Sequence, residues 1–589
     1  MTSSHNPTEE YRGLLALGVY STSIAWGVFI LAMIDAFRGW LILAMFILLT
    51  MAFAYAIKRY RVSFRFSQST GLSIIGAMLL SLLIGYYSVP TIFTGRDQGS
   101  IAEAAIRLAE NHRLEFSAPL GDQLFKIYGP GRALNFPGFY YTPEGQLITQ
   151  FPLPYIAWLA LFYTLFGLSG FAVANGILVT IFVVAFTLLF RLLSSGQKAQ
   201  LFLLFVLSSF PLMWFAKFTL TENMALALLW LAITALVSFQ KEQRLLNYAA
   251  AILPLSLLAF TRIEGLVLLP LGLGILYWST RSNKEFWQQS QRERMIVPML
   301  LFVALAALAL TRNFPYYKEV ARGLLGADGP TASSAAYLWA SLKYLYSLFN
   351  GYGLLGVTIV GLFGLFNVWK QKNWTGLIPF LATLPVFIYV LIPTISHDHP
   401  WMLRRFSFAV LPCLALYAFL LLDSEKLRPY RVRTVVLTVG LFILTLFPFL
   451  KYLPVRENAD LLSETARLSQ QFQATDLVLV DQLASGDGWA MIAGPMNSLY
   501  HRQTVYFFNP QDLDKTDLSA FSRVLLIAPE NRAAFYTESV LGARLSNPKP
   551  YTLEATSLAK PDPLATRVTL PELQTKTTRG NIFEINLQR

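Results

Sequence analysis

Thirteen apolar runs separated by short polar turns leave this chain little choice of environment. They cover residues 14–35, 40–57, 71–89, 170–193, 199–216, 220–239, 246–260, 263–279, 295–311, 351–369, 374–393, 406–422 and 433–450. A run of ~20 apolar residues at 1.5 Å each matches the ~30 Å hydrocarbon core of a bilayer. With 55% hydrophobic and 14% charged residues in 589, the expected fold is an all-α polytopic transmembrane protein of about 13 helices. The formal charge of +13 is read as the Lys and Arg excess of cytoplasmic loops. A nucleic-acid surface is not expected, since no basic run is long or regularly interleaved with aromatics. Cys413 is the single cysteine and sits in an apolar segment, which excludes an intrachain disulfide and a CxxC metal site. Residues 1–13 are polar, no small-residue cleavage pattern follows, and 14–33 reads as a retained signal anchor.

The run Phe151–Gly167 is short and opens Phe-Pro-Leu-Pro. Laid along the membrane surface, it lets Lys58, Arg59, Arg191, Lys198, Lys241, Arg244, Lys370 and Lys426 gather on one side. The short opposite loops then keep only Arg38, Lys217, Arg262, Arg404 and Arg405. A crossing there would invert every later loop, so the positive-inside rule favours a juxtamembrane helix. The expected topology puts the N-terminus in the cytoplasm and the C-terminus outside the cell (plasma or inner) membrane. Residues 1–70 form two N-terminal spans, and 71–450 a membrane domain with a long first outer loop at 90–169. Residues 451–589 change character, with helix-like Asn458–Phe472 and strand-like Asp476–Asp481, Thr504–Phe508 and Arg523–Ala528. They predict a small extracytoplasmic α/β domain. Asp481 and Asp487 sit near glycines there, where strand-end loop chemistry is the expected role.

Under this topology the unusual polar residues emerge on the outer side. They are Arg96, Asp97 and Glu103 in the first loop, Lys217, Thr221 and Glu222 in a tight turn, Arg262 and Glu264 in another, and His397, Asp398, His399, Arg404 and Arg405 in a fourth segment. Ionisable groups at membrane depth are expensive and face a cavity or a partner. Intramolecular ion pairs such as Arg262 with Glu264 are the plain structural alternative. The inner loops are short and carry no GxGxxG or P-loop, so a transferase of this design has to draw its donor from the bilayer. A sugar phosphoryl polyprenol fits. Its phosphate leaving group needs guanidinium groups, and the acceptor hydroxyl needs one carboxylate base. Tyr140, Tyr141, Trp339 and Trp401 are candidate sugar-stacking rings, with a membrane-interface belt the commoner use. Asp97 with Glu222, or His397, Asp398 and His399, offer ligands to a divalent metal. The expectation is that catalysis requires none.

Four motifs together resemble the GT-C class of membrane glycosyltransferases, in the branch of protein O-mannosyltransferases and the lipid A aminoarabinose transferase. Gly95-Arg96-Asp97-Gln98 follows a span and leads into an amphipathic helix. Gln150-Phe-Pro-Leu-Pro154 opens a juxtamembrane helix ending in Phe166-Gly167. Leu220-Thr221-Glu222 starts a span, and Phe260-Thr261-Arg262-Ile263-Glu264-Gly265 is similar to the family's Thr-Arg-Pro-Glu-Gly turn. The resemblance implies an inverting hexosyl- or pentosyltransferase using a polyprenyl-phosphate sugar donor and a protein, lipid or glycan acceptor. It places Asp97 as the catalytic base and Arg404 and Arg405, with Arg262, on the lipid phosphate. Where some relatives carry a phosphate-binding lysine before the juxtamembrane proline this chain has Gln150 and Phe151, which leaves Lys126 or Arg132 as substitutes. A transporter or flippase of a lipid-linked saccharide is the alternative, as is a glycan ligase or polymerase using a diphosphate-linked donor. The absence of an internal repeat counts against transport.

Overall fold

The computed structural model describes residues 7–64, 66–281, 335–391, 398–560 and 568–587. Three long helices come first: α1 (Pro7–Met33), α2 (Gly39–Tyr60) and α3 (Gln68–Tyr87). The outer segment follows, with α4 (Asp97–Asn111), α5 (Gly121–Tyr128), strands β1 (Gly131–Arg132), β2 (Phe139–Tyr141) and β3 (Leu147–Thr149), and α6 (Leu153–Phe166). The membrane domain continues through α7 (Ser169–Leu193), α8 (Ala199–Leu207), α9 (Phe210–Ala216), α10 (Thr221–Lys241), α11 (Leu245–Thr261) and α12 (Gly265–Thr280). It is completed by α13 (Ala335–Gly351), α14 (Leu355–Lys370), α15 (Trp374–Thr383), α16 (Val410–Leu422) and α17 (Arg431–Tyr452).

The apolar runs fall on these helices, except 295–311, which lies outside the described residues. Among the described residues six helices are long and apolar enough to cross a membrane, or up to nine if each of three bent pairs is one span. The expected count of about 13 crossings is not confirmed by these lengths. Helices α6, α11 and α12 are apolar but only 14, 17 and 16 residues long, short of the ~20 that a full crossing needs. The helix α6 also differs from a surface-lying helix. Every residue from Leu153 to Phe162 is buried, enclosed by α1, α4, α7 and α11.

The helix ends sort by chemistry. At one end Arg191 of α7 pairs with Glu10 of α1 at 3.1 Å, and Arg12 pairs with Glu242 at 3.2 Å. At the other end stand Lys217, Glu222, Arg262 and Arg404. Lys217, in the turn from α9 to α10, is buried and donates to the carbonyls of Tyr452 (3.0 Å) and Val455 (2.9 Å), and to that of Leu453. These oxygens cluster where α17 stops, the Tyr452 carbonyl also accepting the Val455 N–H at 3.2 Å, and a cation is the charge that end of a helix dipole attracts.

Beyond α17, helix α18 (Ala459–Ser469) leads into a five-stranded sheet of order β5-β4-β6-β8-β7. Its strands are β4 (Asp476–Asp481), β5 (Gln503–Phe507), β6 (Arg523–Pro529), β7 (Leu545–Leu558) and β8 (Leu573–Ile585), with α19 (Ala493–Ser498) and α20 (Glu530–Thr537) between them. Strand β4 runs parallel to β5 and β6, while β8 is antiparallel to both β6 and β7. The three apolar strands were legible as strands. The β7–β8 hairpin was not, since its Thr, Lys and Glu residues leave one face in water and mask the alternation. The chain passes from β4 to β5 on one side and β6 on the other. The loop after β4, residues 482–492, therefore leaves the sheet at a switch point of the parallel strands, where α/β sheets form crevices.

That loop docks on the outer segment. Met491 donates its N–H to the Thr94 carbonyl at 2.9 Å. Gly95 has φ +107, and a Cβ there would lie 2.4 Å from the Gly488 carbonyl oxygen, so both the conformation and the close approach need glycine. Asn135 adds a hydrogen bond to the Tyr506 carbonyl (2.7 Å), and Tyr128 bonds Asp512.

Replacing Lys217 by Met is expected to strip the end of α17 of its donors and lower stability by about 1–3 kcal/mol, seen as a reduced unfolding midpoint in detergent.

Candidate active site

Asp97 is the first residue of α4 and Glu222 lies in the first turn of α10. Acidic groups there complement the positive end of a helix. Arg262 and Glu264 form the turn between α11 and α12, and Arg404 and Arg405 follow a single 3-10 turn at 401–403. The fold brings these four segments to one end of the bundle and joins them. Arg404 Nη1 lies 2.7 Å from Asp97 Oδ2, and its Nε lies 3.8 Å from Glu222 Oε1. Arg262 Nη1 lies 2.9 Å from the same Glu222 oxygen. Arg262 also forks onto Glu264, with Nη2 at 2.7 Å and Nε at 3.1 Å. Tyr389 donates to Glu264 at 2.6 Å, and Arg405 packs its guanidinium 5.4 Å from the Tyr389 ring centre.

The network has a gradient. Glu222 is 6% exposed, whereas the Asp97 side chain is 45% exposed. Asp97 is thus the open end of a chain of alternating charges whose other members are largely dehydrated. Arg405 makes no ion pair among the described residues, so the described cluster holds one guanidinium free for an anion. Beneath it lies an apolar pocket lined by Phe182, Leu212, Leu226, Leu354, Ser407 and others. Leu226 is one helical turn from Glu222, and Ser407 is three residues from Arg404.

Other candidates sit elsewhere. Arg96 turns away from Asp97 to pair with Asp398 at 2.7 Å. Its guanidinium lies 4.7 Å from the ring centre of Trp401 and 5.2 Å from that of Trp489. Glu103 is buried against Arg107 (3.3 Å) at the junction with α19, and burial raises its carboxyl above the usual range. His399 is buried, hydrogen-bonds Tyr352 at 3.1 Å, and is pulled down by burial to about 4. It is therefore a neutral ring near neutral pH. His397 lies outside the described residues. Lys126 and Arg132 are on α5 and β1, away from the four segments of the network. Tyr140 and Tyr141 are buried in β2, while Trp339 is exposed on α13. Asp481 is held by Tyr536 at 2.7 Å and the Leu483 N–H at 2.7 Å, as strand-end chemistry predicts. Tyr389 was missed, because a tyrosine in an apolar run carries no signal until its partner is known. Among the described residues no group of three His, Cys, Asp or Glu is arranged to hold a metal ion.

No family model matches the sequence, and no curated protein matches it. Solved structures do. ArnT from Cupriavidus metallidurans in the apo state is similar over 87% of this chain and 98% of that one, with a TM-score of 0.50 at 12% identity. This chain has a GT-C fold. The same ArnT bound to undecaprenyl phosphate matches over the same shares at 12% identity with a TM-score of 0.46. The archaeal oligosaccharyltransferase AglB from Archaeoglobus fulgidus, in complex with an inhibitory peptide and a dolichol-phosphate, is 12% identical. It covers 82% of this chain and 71% of its own, with a TM-score of 0.43. The GT-C fold agrees with the motif resemblance read from residues 95–98, 150–167, 220–222 and 260–265.

Arg262 serves both Glu222 and Glu264. Arg262→Met should leave Glu264 without a counter-charge and Glu222 with only the more distant Arg404, and destabilise the protein by about 3–5 kcal/mol. A fall in the unfolding midpoint larger than that of any exposed arginine variant checks this.

Proposed function

We propose that this protein is an inverting glycosyltransferase that moves a sugar from a polyprenyl-phosphate donor to an acceptor hydroxyl. The observation that carries the reading is the juxtaposition of the Asp97–Arg404–Glu222–Arg262 network with an apolar pocket one turn below it. A lipid phosphate is a charged head on an apolar tail, and this end of the bundle offers guanidiniums above and hydrocarbon surface beneath. Arg405, without an acidic partner among the described residues, receives the phosphate first. Arg404 then exchanges part of its hold on Asp97 for a phosphate oxygen, since guanidinium forks suit both anions.

That exchange frees the base. Asp97 accepts the proton of the acceptor hydroxyl as its oxygen bonds to the anomeric carbon. The bond from that carbon to the phosphate oxygen breaks with its electron pair on the departing polyprenyl phosphate. A single displacement of this kind inverts the anomeric centre and needs one carboxylate, not two. Arg404 and Arg405 offset the negative charge that develops on the leaving group. They supply the positive charge for which other enzymes employ a divalent ion, so the reaction proceeds without one. The network faces the extracytoplasmic side in this reading, because Arg191, Lys198, Lys241 and Arg244 gather at the opposite end. The C-terminal domain lies on the same outer side, in a plasma or inner membrane.

Asp97→Asn keeps size and polarity and removes the base. It is expected to lower kcat for acceptor-dependent release of polyprenyl phosphate by about 10²–10⁴-fold, with the unfolding midpoint preserved. Equal turnover by both proteins would move the base to Glu222. Incubation with EDTA is expected to leave the wild-type rate unchanged, and a loss restored by Mg²⁺ or Mn²⁺ would refute the metal-free mechanism.

A further inference from the structure

A second pocket is walled by both halves of the molecule. It is lined by Arg96, Gln98, Asp398 and Trp401 from the membrane domain, and by Glu457, Asp487, Trp489 and Lys560 from the C-terminal side. Its donors are already engaged: Arg96 by Asp398 at 2.7 Å, and Lys560 by Asp487 at 3.0 Å. Its acceptors are not. Gln98 is 7% exposed, yet its Oε1 is buried with no hydrogen-bond partner. Glu457 uses Oε1 to accept the Leu558 N–H at 3.0 Å, and its other oxygen has no partner among the described residues.

A buried acceptor left unpaired is worth about 1–3 kcal/mol of penalty, which a ligand carrying hydroxyl donors removes. Trp489 adds a large ring that is 49% exposed, a surface suited to the C–H face of a sugar ring. Arg96 and Gln98, which line this pocket, flank Asp97 in sequence, so the pocket lies at the start of α4.

We infer that the pocket between the outer segment and the C-terminal domain is the acceptor subsite, and that it takes an uncharged, polyhydroxylated glycan. The inference rests on the transferase reading and adds the acceptor class and the role of the tail. Gln98 and Glu457 accept hydrogen bonds from ring hydroxyls, and Trp489 carries an apolar ring face. An extended peptide is the competing ligand. It is disfavoured because the unpaired acceptors Gln98 and Glu457 and the exposed Trp489 ring match hydroxyl donors and an apolar ring face.

The test measures binding first, without any donor. Full-length protein in detergent is presented with methyl hexosides, methyl pentosides and short oligosaccharides of each, and separately with a Ser/Thr-containing peptide, followed by saturation-transfer NMR. Saturable glycoside binding that weakens about fivefold or more in Gln98→Ala and Trp489→Ala, and recovers in Trp489→Phe, supports the subsite. Unchanged unfolding midpoints exclude misfolding as the cause. Peptide binding in place of glycoside binding overturns it, as does binding that all three variants share with wild type. With donor present, the same two alanine variants should raise acceptor KM about fivefold or more relative to donor KM. A change confined to kcat would overturn the subsite. Glycoside binding with no transfer from any lipid-phosphate sugar would defeat the transferase reading while sustaining the pocket's ligand class.

Discussion

The structure is organised around one electrostatic constraint. Three carboxylates and three guanidiniums stand at one end of an apolar bundle, most of them out of reach of water. Dehydrating such groups singly costs several kcal/mol apiece, so every one but Arg405 is held where another neutralises it. Arg262 satisfies Glu222 and Glu264 together, and Arg404 bridges Glu222 to Asp97. The four segments that carry them come from residues 97, 222, 262–264 and 404–405. Their alignment fixes the relative heights of α4, α10, α11, α12 and the 401–407 turn. At the edge of this arrangement Asp97 is the carboxylate most open to solvent.

The C-terminal domain is the second determinant. It hangs from α17, whose end Lys217 clasps, and it returns to touch the first outer segment at Thr94, Gly95 and Asn135. Lys217 and Glu222 share one short turn between α9 and α10. The same five or so residues thus position both the charged network and the attachment of the tail.

Helices were legible in the sequence because lipid-adapted segments are uniformly apolar over ~20 residues, a signal that turns do not imitate. The grouping of Arg191, Lys241 and Arg244 at one end of the helices was legible from Lys and Arg alone. Crossing counts were less so, since an apolar run such as 153–166 reads the same whether it faces lipid or protein. The convergence of Asp97, Glu222, Arg262, Glu264 and Arg404 followed from topology: charged residues at successive same-side helix ends have nowhere else to go. Their pairing did not follow. Arg96 and Asp97 are neighbours, yet one turns to Asp398 and the Trp pair while the other faces Arg404, a divergence set by the start of α4. Glu103 points to α19 because six residues along a helix rotate it off the face of Asp97. Gln98 and Trp489 carried no signal at all, for each acquires meaning only from the opposite wall of the pocket.

The bridge between Thr94 and Met491 has a consequence for how the molecule comes into being. Nearly four hundred residues separate the two partners. The segment bearing Asp97 leaves the ribosome among the first fifth of the chain, but the loop that props it open emerges only after every membrane helix has been made. Assembly of the site is therefore a terminal event in biogenesis. A nascent chain, however well inserted, holds Asp97 and its neighbours without the loop that docks beside them.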